Sequence, residues 1–280
     1  MSKNGPYSSR DIDKGIEPVW KINSVEKCFR VLKCFTNAKP EWTLTQLSQK
    51  LKLPKSSLLN MLKTLELDEL VVKSQVNGTY CLGVEFLEIA YNARSSVPII
   101  QYAIPFLDEL HEKTGKAIYL TIPKNGMTLY IESIFNNRRN LNYSITGKTL
   151  PMHCTGCGKA MLSHMSREDI DIIVSHVGLE RFTPATITDY DALMAELRAT
   201  WERGYAIDRG EESHGVKCVA VPIIWNNAVL GAVSISGSIL NMTDDIFPEY
   251  AEMLMTVASL MSTKADLFPK CSHLPKNAVK

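Results

Sequence analysis

Three short stretches of this 280-residue chain carry side chains that could hold a small molecule. The first is Leu150-Pro151-Met152-His153-Cys154-Thr155-Gly156-Cys157-Gly158-Lys159-Ala160-Met161-Leu162, a loop of small residues running into a helical period. Its glycines let the backbone approach a ligand closely. Free N–H groups at a helix start attract anions, and a small carboxylate would suit them. The second stretch is Arg203-Gly204-Tyr205-Ala206-Ile207-Asp208-Arg209-Gly210-Glu211-Glu212, followed by Gly215-Val216-Lys217-Cys218. The third is Ala232-Val233-Ser234-Ile235-Ser236-Gly237. Ser234 and Ser236 lie two apart on a strand and so face one side. Hydroxyls inside an apolar strand need partners, which can be each other, the backbone or a ligand.

Cys154-Thr155-Gly156-Cys157 offers a second chemistry. Two thiols at a helix start are expected to have lowered pKa values, as redox sensors need. With His153 and Cys218 they would also make four zinc ligands, but no second, well-spaced ligand pair accompanies them. An enzyme reading has less support. The chain has no Gly-x-Ser-x-Gly elbow, no His-Glu-x-x-His, no phosphate-binding loop and no His-x-Glu before the cysteine pair. Asp208 could act as a general base, while Glu211 and Glu212 read as a solvated charged loop, and His153 and His164 as structural or solvated. No cofactor is implied.

Between Trp42 and Tyr80 a different chemistry is written. Leu44, Leu47 and Leu51 recur at the spacing of one helix face. Thr43 stands at the N-cap position with Gln46 three residues on, the pattern of a capping box. Lys52-Leu53-Pro54 forms a turn, and Pro54 suits the first position of the next helix. That helix buries Leu58, Leu62 and Leu65. It presents Lys55, Ser56, Ser57, Asn60, Lys63 and Thr64, a polar and basic face fitted to base edges and phosphates. Leu70-Val71-Val72 and Thr79-Tyr80-Cys81-Leu82 flank Asn77-Gly78, which favours a two-residue hairpin turn. Helix, turn, helix and hairpin make a winged helix-turn-helix, with Thr43, Lys73 and Asn77 as further candidate DNA contacts.

Charge separates this segment from the rest. Residues 21–81 hold ten Lys or Arg against five Asp or Glu, a net of +5, and residues 1–20 are neutral. With +1 overall, that leaves −4 on residues 82–280. A basic head on an acidic body is expected of a polyanion-binding module joined to a separate domain.

The elements that must position these residues can be read coarsely. Residues 1–20 read as a mobile arm. A helix over Ser24–Thr36, with Val25, Phe29, Leu32, Val31 and Phe35 inward, completes a DNA-binding domain over 21–82. Val84–Arg94 reads as a linker helix within 83–96, and Ser95-Ser96-Val97-Pro98 marks the boundary. The second domain, 97–265, opens with a helix over Ile99–Thr114. Strands follow at Ala117–Ile122 and Met127–Ser133 around Asn125-Gly126, and at Arg139–Ile145. Helices are expected at Gly156–Met165, Arg167–His176 and Tyr190–Arg203. Further strands are expected at Tyr205–Ile207, Lys217–Ile224 and Ala228–Ser236. A helix from Asp245 to about Lys264 precedes a tail over 266–280. Runs of strands with grouped helices predict an α+β fold with a mainly antiparallel sheet. Seven cysteines in a chain of this size suggest reduced thiols. The polar N-terminus lacks a signal-peptide core, and no stretch approaches the roughly 20 apolar residues of a membrane span. A cytoplasmic protein without membrane partners is expected.

Taken in order, these motifs resemble the IclR family of bacterial transcriptional regulators over roughly residues 20–265. The shared features are the Lys-Ser-Ser start of the recognition helix, His-x-x-Gly-x-Gly-Lys-Ala at 153–160, Arg-Gly-Tyr-Ala-x-Asp with its Glu-Glu pair and Gly-Val-x-Cys, and Ser-Ile-Ser-Gly. The resemblance implies a GAF-like effector domain, dimers that pair into tetramers, and a pseudo-palindromic double-stranded operator. It also implies that Gly156, Cys157, Asp208, Cys218, Ser234 and Ser236 hold a small organic acid. Two positions depart from the family. Cys157 stands where a small apolar residue is frequent, and Asn60 where many members have Arg. The expected function is a repressor modulated by such an acid, with thiol- or zinc-dependent sensing at Cys154 and Cys157 as the alternative.

Overall fold

The computed structural model describes residues 22–135 and 145–275. The expected N-terminal arm, and all but Ile145 of the strand expected at Arg139–Ile145, lie outside them; Ile145 itself is not in a strand. The chain forms two compact units that divide between Ser96 and Val97.

The first unit holds helices α1 (Asn23–Leu32), α2 (Leu44–Leu51) and α3 (Lys55–Leu67), strands β1 (Val71–Lys73) and β2 (Tyr80–Leu82), and helix α4 (Glu85–Ser95). Leu47, Leu51, Leu58, Leu62, Leu65, Trp42, Val71 and Tyr80 form its core. Trp42 closes it: its indole N–H donates to the Cys34 carbonyl at 2.9 Å, and its backbone bridges Tyr80. Helix α1 is shorter than expected and contributes differently. Val31 and, past the helix end, Phe35 are buried, whereas Val25 and Phe29 are 48% and 58% exposed. No residue of α4 is buried, so its apolar residues Leu87 and Tyr91 face solvent.

The second unit begins with α5 (Pro98–Thr114). A six-stranded sheet follows, of β3 (Ala117–Lys124), β4 (Met127–Ile134), β5 (Thr149–Pro151), β6 (Ala206–Asp208), β7 (Val216–Trp225) and β8 (Ala228–Ser238). Its order is β5-β4-β3-β8-β7-β6, with every described pairing antiparallel. Strand β5 escaped the sequence reading, because Pro151 within so short a run argues against a strand. Between β5 and β6 lie α6 (Gly156–Leu162), α7 (Arg167–Val177) and α8 (Tyr190–Arg203), and α9 (Phe247–Ser262) follows β8.

Period-two alternation sorts the sheet into two faces. Ile118, Leu120, Val219, Val221, Val233 and Ile235 share a core with residues of α5 and α9. Cys218, Ala220 and Ala232 pack with α6, α7 and α8 on the other face. Residues 266–275 of the segment expected as a tail pack on this unit. Phe268 is buried, and the N–H groups of Asn125 and Gly126 donate to the carbonyls of Ser272 and His273 at 2.8 and 2.7 Å. Among the described residues, no helix is long and apolar enough to cross a membrane.

Candidate DNA-reading face and effector cavity

The helix-turn-helix is locked by local bonds. The Thr43 hydroxyl accepts from the Gln46 N–H, and the Gln46 side chain accepts from the Thr43 N–H, completing the capping box. Lys52 ends α2 in the left-handed region at φ 54°, and the Ser48 hydroxyl donates to the Leu53 carbonyl at 2.6 Å. Pro54 lies one residue earlier than expected, as the cap before Lys55 rather than the first helical residue. Helix α3 buries Leu58, Leu62 and Leu65 and exposes Lys55, Ser56, Ser57, Asn60, Lys63 and Thr64 together. Lys73 is exposed on the wing, with its ammonium 5.6 Å from the Tyr80 ring centroid.

Two candidates have their polar groups engaged locally. Thr43 caps α2, and the Asn77 side chain accepts from the Thr79 N–H at 3.1 Å and donates to Glu41 at 3.4 Å. The wing turn is also longer than Asn-Gly alone predicts. Ser74 N–H donates to Thr79 O, Gly78 N–H donates to Ser74 O, and Gly78 has positive φ while Asn77 does not. A two-residue primed turn needs positive φ at both central positions. The Asn77–Thr79 bond instead closes an Asx turn.

The second site is built on one row across the sheet. Asp208 of β6 pairs with Cys218 of β7, which pairs with Ser236 of β8. Directly opposite residues share a face, so carboxylate, thiol and hydroxyl line up. The next row is Ala206, Ala220, Ser234 and Tyr119. Its alanines leave space for α6. A Cβ on Gly156 would stand 2.4 Å from the Cys218 sulfur, and one on Gly158 2.2 Å from the Met152 carbonyl oxygen. These glycines are therefore required by close packing within the protein itself. Thr155 caps α6 by accepting from the Gly158 N–H.

A cavity of about 490 Å³ opens over this row. Gly156, Asp208, Cys218 and Ser236 line it, with Tyr119, Tyr130, Lys148 and Glu212 around them. Cys157 and Ser234, the other two residues expected to hold an effector, are buried at 1% exposure each and are not in the cavity lining. The Tyr119 and Tyr130 rings meet edge to face with centroids 5.5 Å apart. Lys148 lies 3.5 Å from Glu212.

The sequence reading missed what supports the cavity. Lys159 is 1% exposed and reaches the Glu211 carboxylate at 2.5 Å and Glu196 at 3.7 Å. Glu211 is thus buried, and half of the supposed solvated pair is an internal carboxyl group. The Thr186 hydroxyl donates to the Glu211 carbonyl, and Thr183 to the Gly210 carbonyl, holding the same loop. The signal was present in the motif itself: a Lys amid Gly, Ala and Met at a helix start has no solvated face to occupy.

Titration behaviour follows burial. Desolvation, reinforced by the Asp208 charge, pushes Cys154 up to about 12. Burial also pushes Cys157 up to about 11, against the hydrogen bonds from Ser234 and Thr121, and raises Cys218 well above its ordinary value. The expectation of lowered thiol pKa values is therefore overturned: burial outweighs any helix-start effect. Asp208 is pushed up to about 7, first by burial and then by the neighbouring Glu211 carboxylate, even though it accepts from the Gly210 and Glu211 N–H groups. His153, lowered by burial, bonds the Glu180 carbonyl at 3.0 Å, a structural role.

A winged helix-turn-helix unit followed by an α+β unit with a polar cavity defines a one-component, ligand-responsive regulator class. The comparisons place the chain within it. Residues 24–74 match the IclR helix-turn-helix domain, and residues 91–263 match the C-terminal domain of the bacterial transcriptional regulator IclR. The chain belongs to the IclR family of DNA-binding transcriptional regulators. It is 33% identical to the regulator XynR of Escherichia coli K12, over 86% of this chain and 96% of that protein. Identity to KdgR of the same organism is 29%, over 92% and 97% respectively. In fold it is similar to an IclR homologue of Microbacterium hydrocarbonoxydans solved with 4-hydroxybenzoate, at a TM-score of 0.70 and 22% identity over 87% of this chain and 99% of that one.

Proposed function

We propose that this regulator is a repressor whose grip on a pseudo-palindromic operator is released by a small organic acid. The row of Asp208, Cys218 and Ser236 in the wall of a 490 Å³ cavity carries the reading. Gly156 shares that wall, while Cys157 and Ser234 brace it from beneath. Relatives named as repressors, such as AllR of Escherichia coli at 26% identity, support the sign of the response. The aromatic acid held by the Microbacterium homologue supports the ligand class.

On the DNA side, Lys55, Ser56, Ser57, Asn60, Lys63 and Thr64 would enter the major groove, with Lys73 and Asn77 on the wing and Thr43 setting the start of α2. Self-association as dimer or tetramer gives the operator its symmetry. The exposed apolar residues Val25, Phe29, Leu87 and Tyr91 support it. The protein would act in the cytoplasm, and no catalytic step is assigned to it.

The test is a thermal-shift panel on the full chain with acetate, pyruvate, D-gluconate, benzoate and 4-hydroxybenzoate. An acid at about a hundred times its Kd adds about 2.7 kcal/mol to stability. A shift with at least one acid, lost in Ser236→Ala, is expected. No shift with any of them would sink the acid reading.

A further inference from the structure

We propose that Asp208, Glu211 and Lys159 share one proton, and that an anionic effector binds only the protonated cluster, drawing that proton from solvent. This rests on the reading of the cavity as an acid site.

The charges do not balance without that proton. Lys159, Asp208 and Glu211 are all buried. The three hold one ammonium for two carboxylates, and it is committed to Glu211 at 2.5 Å. The nearby Glu196 has its own cation in Arg203 at 3.4 Å. Glu212 on the cavity rim is near Lys148. Of the other titratable groups around Asp208, Cys154, Cys157, Cys218 and Tyr130 are held neutral near pH 7 by burial, and Tyr119 and the exposed His214 complete the cavity lining. Among the described ion pairs none joins Asp208 to a cation: Lys148 is with Glu212 and Arg209 with Asp244. An isolated buried anion is costly enough that the group takes up a proton instead.

Geometry says where the proton is useful. Both backbone bonds to Asp208, from Gly210 at 2.9 Å and Glu211 at 2.8 Å, fall on Oδ1. Asp208 also lines the cavity. Ionised, it would meet a carboxylate effector with like charge. Protonated, it supplies an O–H donor to the same group. The buried Glu211 Oε2 has no hydrogen-bond partner among the described residues, so the second carboxyl is available to hold the proton when Asp208 does not. Asp208 pushed up to about 7, and Glu211 raised as well, are consistent with a pair exchanging one proton near neutrality. Effector anion plus one proton then gives the bound state, and affinity falls about tenfold per pH unit above the cluster's pKa.

The test uses the full-length protein in two arms. In the first, protein labelled with ¹³C at aspartate carboxyls is titrated without effector, and the signal missing from Asp208→Asn is followed. Titration near neutrality is expected, moving to lower pH in Glu211→Gln. Ionisation complete by pH 5 overturns the proposal. In the second arm, the acids of the thermal-shift panel are bound at pH 6.5, 7.5 and 8.5, with 4-hydroxybenzamide as an uncharged control. Acids are expected to weaken about tenfold between the last two values, and Asp208→Asn, which keeps an N–H donor, to flatten that slope. Acid binding that does not change with pH overturns the shared proton while leaving the acid site standing. Failure of every acid at every pH overturns the acid site and this proposal with it.

Discussion

Removing the buried ammonium by Lys159→Met should be the most damaging single change in the effector unit that leaves its apolar volume nearly intact. Lys159 is 1% exposed and within 4 Å of two carboxylates, Glu211 at 2.5 Å and Glu196 at 3.7 Å. Methionine fills most of the same space but carries no charge. Glu211 is then buried without a cation. Deleting one partner of a buried pair costs about 3–5 kcal/mol, and in a unit of this size each kcal/mol moves the melting point by about 2–4 °C. The melting point at pH 8 should therefore fall by about 6–20 °C. Acidification should shrink the defect, because Glu211, already raised by burial, can discharge by taking up a proton. Lys159→Met with Glu211→Gln should recover most of the loss, since the uncompensated charge is gone. Scanning calorimetry of the wild type, both single variants and the double variant at pH 5 and pH 8 gives the numbers. A Lys159→Met melting point within about 2 °C of wild type at pH 8, less than 1 kcal/mol, would refute the reasoning. So would a defect equal at both pH values.

Gly156→Ala should lose effector response and about 1–3 kcal/mol of stability by overpacking, because the new methyl group would press on the Cys218 sulfur from 2.4 Å. Chemical denaturation and a ligand shift assay read both effects. Asp208 is raised on folding from 3.8 to about 7, so its contribution is full below pH 3.8 and is lost as pH rises towards 7. Asp208→Asn should accordingly melt higher than wild type at pH 8 and lose that advantage by pH 4, as melting curves across pH would show. Lys55→Ala and Lys63→Ala should each weaken DNA binding across sequences and reduce the salt slope by about 0.9 for each phosphate left without its ammonium. An unchanged slope by fluorescence anisotropy would remove that lysine from the phosphate-binding face.

The legible parts of this fold are those with a local cause. The capping box at Thr43 and Gln46 and the leucine period of α2 and α3 are written within a few residues, and so is the alternation that puts Ser234 and Ser236 on one side. Pairing across distance was not legible. Nothing in the order of residues says that Asp208, Cys218 and Ser236 stand in one row, since that depends on the register of three strands. Lys159 and Glu211, 52 positions apart, meet only because α6 lies against the loop after β6. Val25 and Phe29 show the opposite failure. Their helical spacing read as core, but spacing gives a face and not what covers it. The thiols misled in the same way: a helix start lowers a thiol's pKa only where water reaches it, and Cys157 is 1% exposed.

Coupling between the cavity and DNA is the central claim, and one titration addresses it directly. A duplex selected from a random pool by the full-length protein would be labelled, and its Kd measured by anisotropy with and without a saturating acid from the thermal-shift panel. A ligand can shift this equilibrium only by binding the two states differently, and a typical coupling of 1–3 kcal/mol is about 5–150-fold. The account predicts weakening of DNA binding within that range, abolished in Ser236→Ala. An acid that stabilises the protein yet leaves the duplex Kd unchanged would contradict it.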